Sequence, residues 1–433
     1  MLFGEFLFIL KTDMGEKFLI QGRKPLSGEI KVKGAKNAAL KVFIASLLTD
    51  KEWQIYNVPE IKDIFQEIEI LKDLGLKIEK EKKGVYKVRA KEIKKTELDS
   101  SLSQKIRASI MITGPLLARF GEAKLSYPGG CLIGKRPIDL FLEGLAALGA
   151  ELTGDKNTIH LTTKGLKGNV FVFPQISVTA TECLIMAAAL AKGKTVLKNA
   201  AMEPEVVSLV DFLNSCGAQI KGAGTPNIEI KGVKKLRGGR YFTIPDRIEA
   251  GTFAALAAAS KSKVKIRDCE PLHLEVFLKI LKKIGVELER GRNYILVRQS
   301  KALRSVKVVT HEYPGLPTDL QPPLTILLTQ AKGLSLIRET VFEGRLFYTD
   351  ILNQMGADII MCDPHRIVIQ GPSRLYGRRI ISPDIRAGIS LVIAALIAQG
   401  KSTIENIEQI DRGYEKIEQR LQKIGADIKR VKN

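Results

Sequence analysis

Apolar residues along this chain fall into two helical patterns and one strand pattern. Segments such as ASIMITGPLLARFG, TECLIMAAALAKG, AGTFAALAAAS and AGISLVIAALIAQG are apolar nearly all round. Such helices have no polar face to give to water, which predicts burial on every side. Others, for example GYEKIEQRLQKIG, are amphipathic and predict helices nearer the surface, while KTVLKNA and KSTIENI read as β-rich strands. A third mark ties these together: a helix end, a glycine, then an alternating strand. It occurs as LGLKIEK, LGAELTG, CGAQIKG, IGVELER, MGADIIM and IGADIKR, with Gly75, Gly149, Gly217, Gly285, Gly356 and Gly425 spaced 74, 68, 68, 71 and 69 residues apart. A period near 70 repeated six times is the signature of an internally repeated fold. Glycine at that point predicts a helix C-terminus that turns out through a left-handed conformation. Two helices and several strands per unit predict an α/β protein in which sheets surround buried helices, grouped most simply as three units to a domain. The first strand can return to join the C-terminal group.

The approaches to the buried helices are more polar than their interiors. They read GAKNAAL, SQKIRAS, ISVTATE, IPDRIEAG, LPTDLQPP and SPDIRAG, and five of the six carry a charge at the entry itself, among them Lys36, Arg107, Asp246, Asp319 and Asp384. Helix N-termini present free N–H groups and partial positive charge, so several meeting in a cleft could bind phosphates without a P-loop. Asp246 and Asp384 fit N-capping as well as they fit ligand contact. Lys36, Arg107 and Arg386 carry only donors and cannot cap an N-terminus, which favours a functional role.

Composition narrows the choice of ligand. The 433 residues are 45% hydrophobic, enough for about two domains with cores of their own. No apolar run approaches the roughly 18 residues of a membrane span. The opening MLFGEFLFIL has the apolar character of a signal peptide, but Glu5 interrupts it, no basic segment precedes it and no small-residue cleavage site follows. Residues 1–13 therefore read as an extension ahead of Met14, and the expected location is cytoplasmic. Cys131, Cys183, Cys216, Cys269 and Cys362 are odd in number and far apart, which fits a reducing compartment and gives no metal spacing. A net charge of +21 favours anionic partners. No arginine-rich tail or aromatic-basic repeat points to nucleic acid.

One segment stands apart chemically. SYPGGCLIGKRPIDL sets Cys131 after Pro-Gly-Gly and before Gly134, Lys135 and Arg136. Glycines allow such a loop to close as a lid, and neighbouring cations lower a thiol's pKa. Cys131 is thus the candidate reactive cysteine, and the other four read as inert apolar fillers, Cys183 and Cys216 most clearly.

With these segments in view, the order of GAKNAAL, IRASI, PGGCLIGKRPIDL, SVTATE, NAAMEPEVV, PDRIEAGTF, PTDLQPP, ETVFEGR, DIRAGISL and IDRGYEKIE resembles the UDP-N-acetylglucosamine 1-carboxyvinyltransferase (MurA) family of enolpyruvyl transferases. The resemblance covers the chain after residue 16, and the cysteine loop separates it from the shikimate-pathway enolpyruvyl transferase. It implies an inside-out α/β barrel: two similar domains, each of three units with buried parallel helices surrounded by sheets. The implied division is 36–244 for the N-terminal domain with the cysteine loop, and 14–35 plus 245–433 for the C-terminal domain. The implied reaction moves the enolpyruvyl group of phosphoenolpyruvate to the 3-hydroxyl of UDP-N-acetylglucosamine by addition-elimination, releasing phosphate, as the first committed step of peptidoglycan synthesis. No cofactor or metal is expected.

By the same resemblance Cys131 is the proton donor and Asp319 the group beside the sugar hydroxyl. Lys36, Asn37, Arg136 and Arg412 are the phosphoenolpyruvate clamp. Arg107, Arg136, Pro137, Ile138, Asp139, Leu140, Ser177, Val178, Asp319 and Val341 contact the UDP-sugar, and Arg345, Asp384 and Arg386 line the cleft. Read without the family, Asp319 fits a simple helix cap, Arg412 fits a surface ion pair with Asp411 or Glu415, and Glu203 and Glu205 fit a helix start as well as a binding role. The chain departs from the usual family pattern at Gln175, Thr179, Phe141 and Gln409, where lysine, glycine and, for the last two, histidine are common.

Overall fold

The structure is a computed structural model that describes residues 15–104, 107–127, 138–155 and 157–432. The six marked glycines all close helices in the left-handed region, with φ between +93° and +110°. That conformation strains any residue with a Cβ, and the repeat of the mark along the sequence is the repeat of this one turn.

The expected buried helices form at Lys36–Ala45, Thr113–Phe120, Val178–Ala188, Arg247–Ala259, Gln321–Leu328 and Ile385–Ile397. Every residue of Arg247–Ala259 is buried, including its charged first turn. The first three pack within one hydrophobic core that runs from Ala39 to Tyr241, where Thr113–Phe120 lies against Val178–Ala188. The last three pack within a second core that joins Phe18–Val32 to Ile248–Ile428. Gly114 sets one close approach: a Cβ there would stand 2.6 Å from the Cys183 carbonyl oxygen.

Among the described residues six sheets surround these helices, five of four strands and one of three. Five of them set three antiparallel strands beside one parallel strand, as where Gly239–Phe242 runs parallel to Trp53–Tyr56, which pairs antiparallel with Val85–Arg89. The first two strands belong with the C-terminal half. Glu16–Gln21 is held antiparallel between Lys401–Glu405 and Asp427–Lys432, and Ser27–Lys31 runs parallel to Lys263–Arg267. The chain then crosses once at Gly34 and returns at Pro245, and these two residues bridge each other. A Cβ on Gly34 would lie 1.8 Å from the Asn57 carbonyl oxygen, so the crossing admits only glycine.

Three helices depart from the sequence pattern. The apolar run after Arg107 begins as a 3-10 turn, Arg107–Ile112, and becomes α-helical only at Thr113, whose hydroxyl donates back to the Ile110 carbonyl. Thr318–Leu320 is likewise a 3-10 turn, followed by a helix that carries Pro322 and Pro323 in its first turn, where a missing N–H costs nothing. The amphipathic GYEKIEQRLQKIG is not one helix: it starts only at Ile417, after Lys416 in a left-handed conformation with φ +41°. Tyr414 is fully buried there, and its hydroxyl contacts Thr252 and Arg386. Anchoring that ring turns the chain and points Glu415 at Lys33, Lys83 and the Glu60 amide.

Candidate functional site

The charged approaches to the buried helices converge where the two cores face each other. Lys36 opens its helix with no side-chain cap, and its backbone N–H instead donates to Asp246 Oδ2 at 3.2 Å. Asp246 also caps the Arg247–Ala259 helix by accepting from Ile248 and Glu249, so one carboxylate ties helix starts from both halves. Asp384 caps Ile385–Ile397 through Arg386 and Ala387, and the Ser177 hydroxyl caps Val178–Ala188 through Ala180. These three side chains therefore serve as caps, whatever else they touch.

Two compact charge groups stand in front of those helix ends. In the first, Asp63 receives Lys36 Nζ at 2.9 Å and Arg412 Nε at 2.8 Å, joining a helix of the first core to a segment packed on the second. Burial alone raises the Asp63 pKa, but the two cations outweigh it and hold the carboxyl below its usual value. The Lys36 pKa is lowered by burial and by the charges of Arg386 and Arg412, with Asp63 opposing. In the second group, Asp319 receives Arg345 Nη2 at 2.8 Å and Arg386 Nε at 2.9 Å. Both arginines are almost fully buried, while the Asp319 side chain keeps about a quarter of its surface exposed, at 26%. Burial acts to raise its pKa, but Arg386, Arg345 and Lys36 hold it well below the usual carboxylate range.

The two groups sense each other, because Arg386 lowers the Lys36 pKa and Lys36 lowers that of Asp319. Their ion pairs set four cations against two carboxylates, and with the buried Asp246 carboxylate that also acts on Arg386 the balance still leaves a surplus of positive charge. Buried charge without balance is costly. An anionic ligand with two charged groups would restore that balance and would be held by preorganised donors.

The structure brings some of the residues singled out in the sequence together and leaves others apart. Lys36, Asp319, Arg345, Arg386 and Arg412 come together, while Asn37, Arg107, Ser177, Val178, Val341 and Asp384 lie partly exposed. Val341 donates its N–H to Glu339, whose other oxygen accepts from Thr318 beside Asp319. Ile138 is buried, and Asp139 and Leu140 begin the helix Asp139–Ala147. Cys131, Lys135, Arg136 and Pro137 lie outside the described residues. Arg412 pairs with Asp63, not with Asp411 or Glu415: Asp411 is taken by Arg430 and Glu415 by two lysines. Sequence reading missed Asp63. Its only signal was an aspartate at the first turn of an amphipathic helix, which ordinarily reads as a dipole effect. Glu205 forms a buried pair with Arg247 across the two halves and Glu203 accepts the Tyr313 N–H, so both hold the halves together.

The departures from the family pattern also find places. Gln409 accepts from Arg412 Nη1 at 3.1 Å and so braces that cation, while Phe141 is buried in the first core. Cys183 and Cys216 are buried, and burial pushes the Cys183 thiol up to about 12. Cys269 is raised by burial to about 12, and Cys362 is exposed, contrary to its reading as a filler. A groove of about 510 Å³ runs between the Pro204–Ser215 helix and Tyr313, but none of the expected site residues lines it. The charge geometry, not cavity size, marks the site. Among the described residues no helix is long and apolar enough to cross a membrane.

The sequence profile of the family described as EPSP synthase (3-phosphoshikimate 1-carboxyvinyltransferase) matches residues 20–421. A UDP-N-acetylglucosamine 1-carboxyvinyltransferase from Halothermothrix orenii is 44% identical over 416 residues, covering 96% of this chain and 100% of that protein. UDP-N-acetylglucosamine 1-carboxyvinyltransferase 1 from Mesorhizobium japonicum is 44% identical over 428 residues, covering 96% and 99%. Among solved structures, the enolpyruvyl transferase NikO from Streptomyces tendae aligns with a TM-score of 0.88 at 24% identity over 97% of this chain and 100% of that one. EPSP synthase from Acinetobacter baumannii aligns at 0.75 and 20%, over 96% and 100%. At those identities the two structures speak for the fold.

Proposed function

The chain belongs to the UDP-N-acetylglucosamine 1-carboxyvinyltransferase family of enolpyruvyl transferases, and on that premise we propose that it transfers the enolpyruvyl group of phosphoenolpyruvate to the 3-hydroxyl of UDP-N-acetylglucosamine, releasing phosphate. The observation that carries this reading is the pair of cation-rich groups, Lys36–Asp63–Arg412 and Arg345–Asp319–Arg386. Phosphoenolpyruvate carries a carboxylate and a phosphate, and the surplus positive charge suits both. Holding them in fixed donors lowers the barrier where charge develops, without reorganisation at the moment of reaction.

Addition needs a proton on the methylene carbon and removal of the proton from the sugar hydroxyl. Cys131 is the proposed acid. Asp319 is the proposed group at the hydroxyl, and its environment constrains how it works. A carboxylate braced by two arginines is a weak base, so its first task is to accept the hydroxyl's hydrogen bond and orient it. It takes the proton only as the arginines shift their bonds toward the arriving anion. Lys36, Asn37, Arg136 and Arg412 are the proposed phosphoenolpyruvate clamp. Arg107, Arg136 to Leu140, Ser177, Val178 and Val341 are proposed to meet the UDP-sugar, with Asp384 capping beneath. We place the domain division at the Gly34 and Pro245 crossing, residues 36–244 against 14–35 plus 245–433, and the protein in the cytoplasm, supplying peptidoglycan synthesis.

The test is phosphate release from phosphoenolpyruvate with UDP-N-acetylglucosamine, and separately with shikimate 3-phosphate. Release with the nucleotide sugar alone, lowered about 100-fold or more in Cys131→Ala, is expected for loss of a general acid. Release with shikimate 3-phosphate instead would assign the shikimate-type reaction that the family profile also includes.

A further inference from the structure

Beneath the site, in the first core, lies a second charge cluster that the reaction does not use. Lys41, Glu67 and Glu182 are 3%, 1% and 0% exposed, so none of the three reaches solvent or substrate. Lys41 Nζ lies 3.1 Å from Glu182 Oε2 and donates to the Asn37 carbonyl at 3.3 Å. Glu67 Oε1 and Glu182 Oε1 accept no hydrogen bond within the described structure.

The three residues sit in register. Asn37, Asp63 and Val178 stand in the first turns of Lys36–Ala45, Lys62–Asp73 and Val178–Ala188. Lys41, Glu67 and Glu182 each follow by four residues, one helical turn deeper on the same face. Each helix thus offers one residue to the site and one to the cluster below it.

We infer that Lys41, Glu67 and Glu182 form a buried, proton-holding triad that positions the three helix ends carrying the phosphate-facing and sugar-facing residues. The inference rests on the proposed function for what those helix ends do, and on charge counting for the proton. One ammonium can balance one carboxylate, and a second unbalanced carboxylate in that core must carry a proton or break the cluster. The two acids share that proton as a pair.

The surroundings agree. Burial raises the Glu182 pKa to about 7 against the pull of Lys41, and Glu203 and Glu205 at the start of Pro204–Ser215 push the same way as burial. Burial raises Glu67 well above its ordinary value, with Lys41 and Lys36 opposing and Asp63 assisting. Tyr241, from Gly239–Phe242, is pushed up by burial and by the charges of Glu205 and Glu182. Of these neighbours Asp63 is balanced directly by Lys36 and Arg412, and Glu205 by Arg247. As pH rises through neutrality the triad passes from neutral to one net negative charge, about one helical turn behind the phosphate clamp. An anionic substrate then binds more weakly. At a separation on the order of 10 Å, Coulomb's law in a mixed protein and water dielectric gives about a two- to tenfold change in affinity.

Two measurements on the full-length protein and its Glu182→Gln and Glu67→Gln variants test this. The first is the infrared titration of the free protein from pH 6 to 8. A buried protonated carboxyl band that fades with rising pH in the wild type, and is missing in both variants, is expected; a band unchanged in the variants overturns the triad. The second is the pH profile of KM for phosphoenolpyruvate. The substrate's own titration is common to all three proteins, so the wild-type to variant KM ratio isolates the triad. It should rise about two- to tenfold between pH 6 and 8 while the kcat ratio stays flat, and a flat KM ratio overturns the positioning role. Absence of turnover by the wild type at every pH falls on the proposed function instead, and the infrared titration still decides the triad.

Discussion

Two buried charge clusters, one in each core, solve opposite problems. Around Asp319 one carboxylate is shared by two arginines. Around Lys41 one ammonium faces two carboxylates. The first carries surplus positive charge, keeps its carboxylate ionised and has an open side. The second carries surplus acid, relieves it with a proton and is sealed. The comparison teaches that burial alone does not determine a group's protonation: Asp319 and Glu182 are both pushed upward by burial, yet one ends well below its ordinary pKa and the other near neutrality. The number of cations in reach decides which effect wins.

Substitution should break this contrast most visibly. Asp319→Asn leaves the buried Arg345 and Arg386 facing each other without a carboxylate between them, which should cost about 3–5 kcal/mol, the usual penalty for removing one partner of a buried ion cluster. Glu182→Gln removes the surplus acid and should cost under about 1 kcal/mol at pH 8. Chemical denaturation of the two variants reads both, and equal losses would erase the distinction.

The pH dependence of stability should differ in sign. Asp319 is depressed in the folded state, so its contribution is present above the ordinary aspartate value and is lost as pH falls through the lower, folded value. Glu182 is raised from 4.5 to about 7, so its contribution is present below 4.5 and is lost as pH rises through about 7. That loss amounts to up to about 3 kcal/mol on the scale of one pKa unit per 1.36 kcal/mol. Denaturation midpoints should therefore decline from pH 4.5 to 7 more steeply in the wild type than in Glu182→Gln. A parallel decline in both would remove Glu182 from the account.

A small effect on stability is also expected at Arg412. Its side chain is 32% exposed, and Asp63 keeps Lys36 when Arg412 is truncated. Arg412→Ala should cost about 1 kcal/mol or less, while KM for phosphoenolpyruvate rises about tenfold for a lost charge-assisted contact. A large stability loss with unchanged KM would make Arg412 a structural brace only.

Much of this was legible in the chain. The six glycine marks announced the repeat because the left-handed helix end is a local requirement that one residue satisfies. The all-apolar helices announced burial for the same local reason. Lys36, Asp319 and Arg386 stood out because charge at the start of a buried helix is unusual. What could not be read were partnerships set by the fold. Asp63 meets Lys36 and Arg412 across 27 and 349 residues of sequence, and nothing in its own helix signals either. The break at Lys416 was hidden because it follows from seating Tyr414 between Thr252 and Arg386, a tertiary contact that overrides helical periodicity. The cysteine loop falls in the opposite class: its sequence is the most distinctive in the chain, and Cys131 lies outside the described residues.

The most direct test of the central claim is the identity of the product. Incubating the protein with phosphoenolpyruvate and UDP-N-acetylglucosamine and analysing the nucleotide sugar by mass spectrometry and proton NMR should give an enolpyruvyl ether on the sugar 3-oxygen, formed by the wild type and barely by Asp319→Asn. Unmodified nucleotide sugar, or equal product from Asp319→Asn, would contradict the assignment of this cleft.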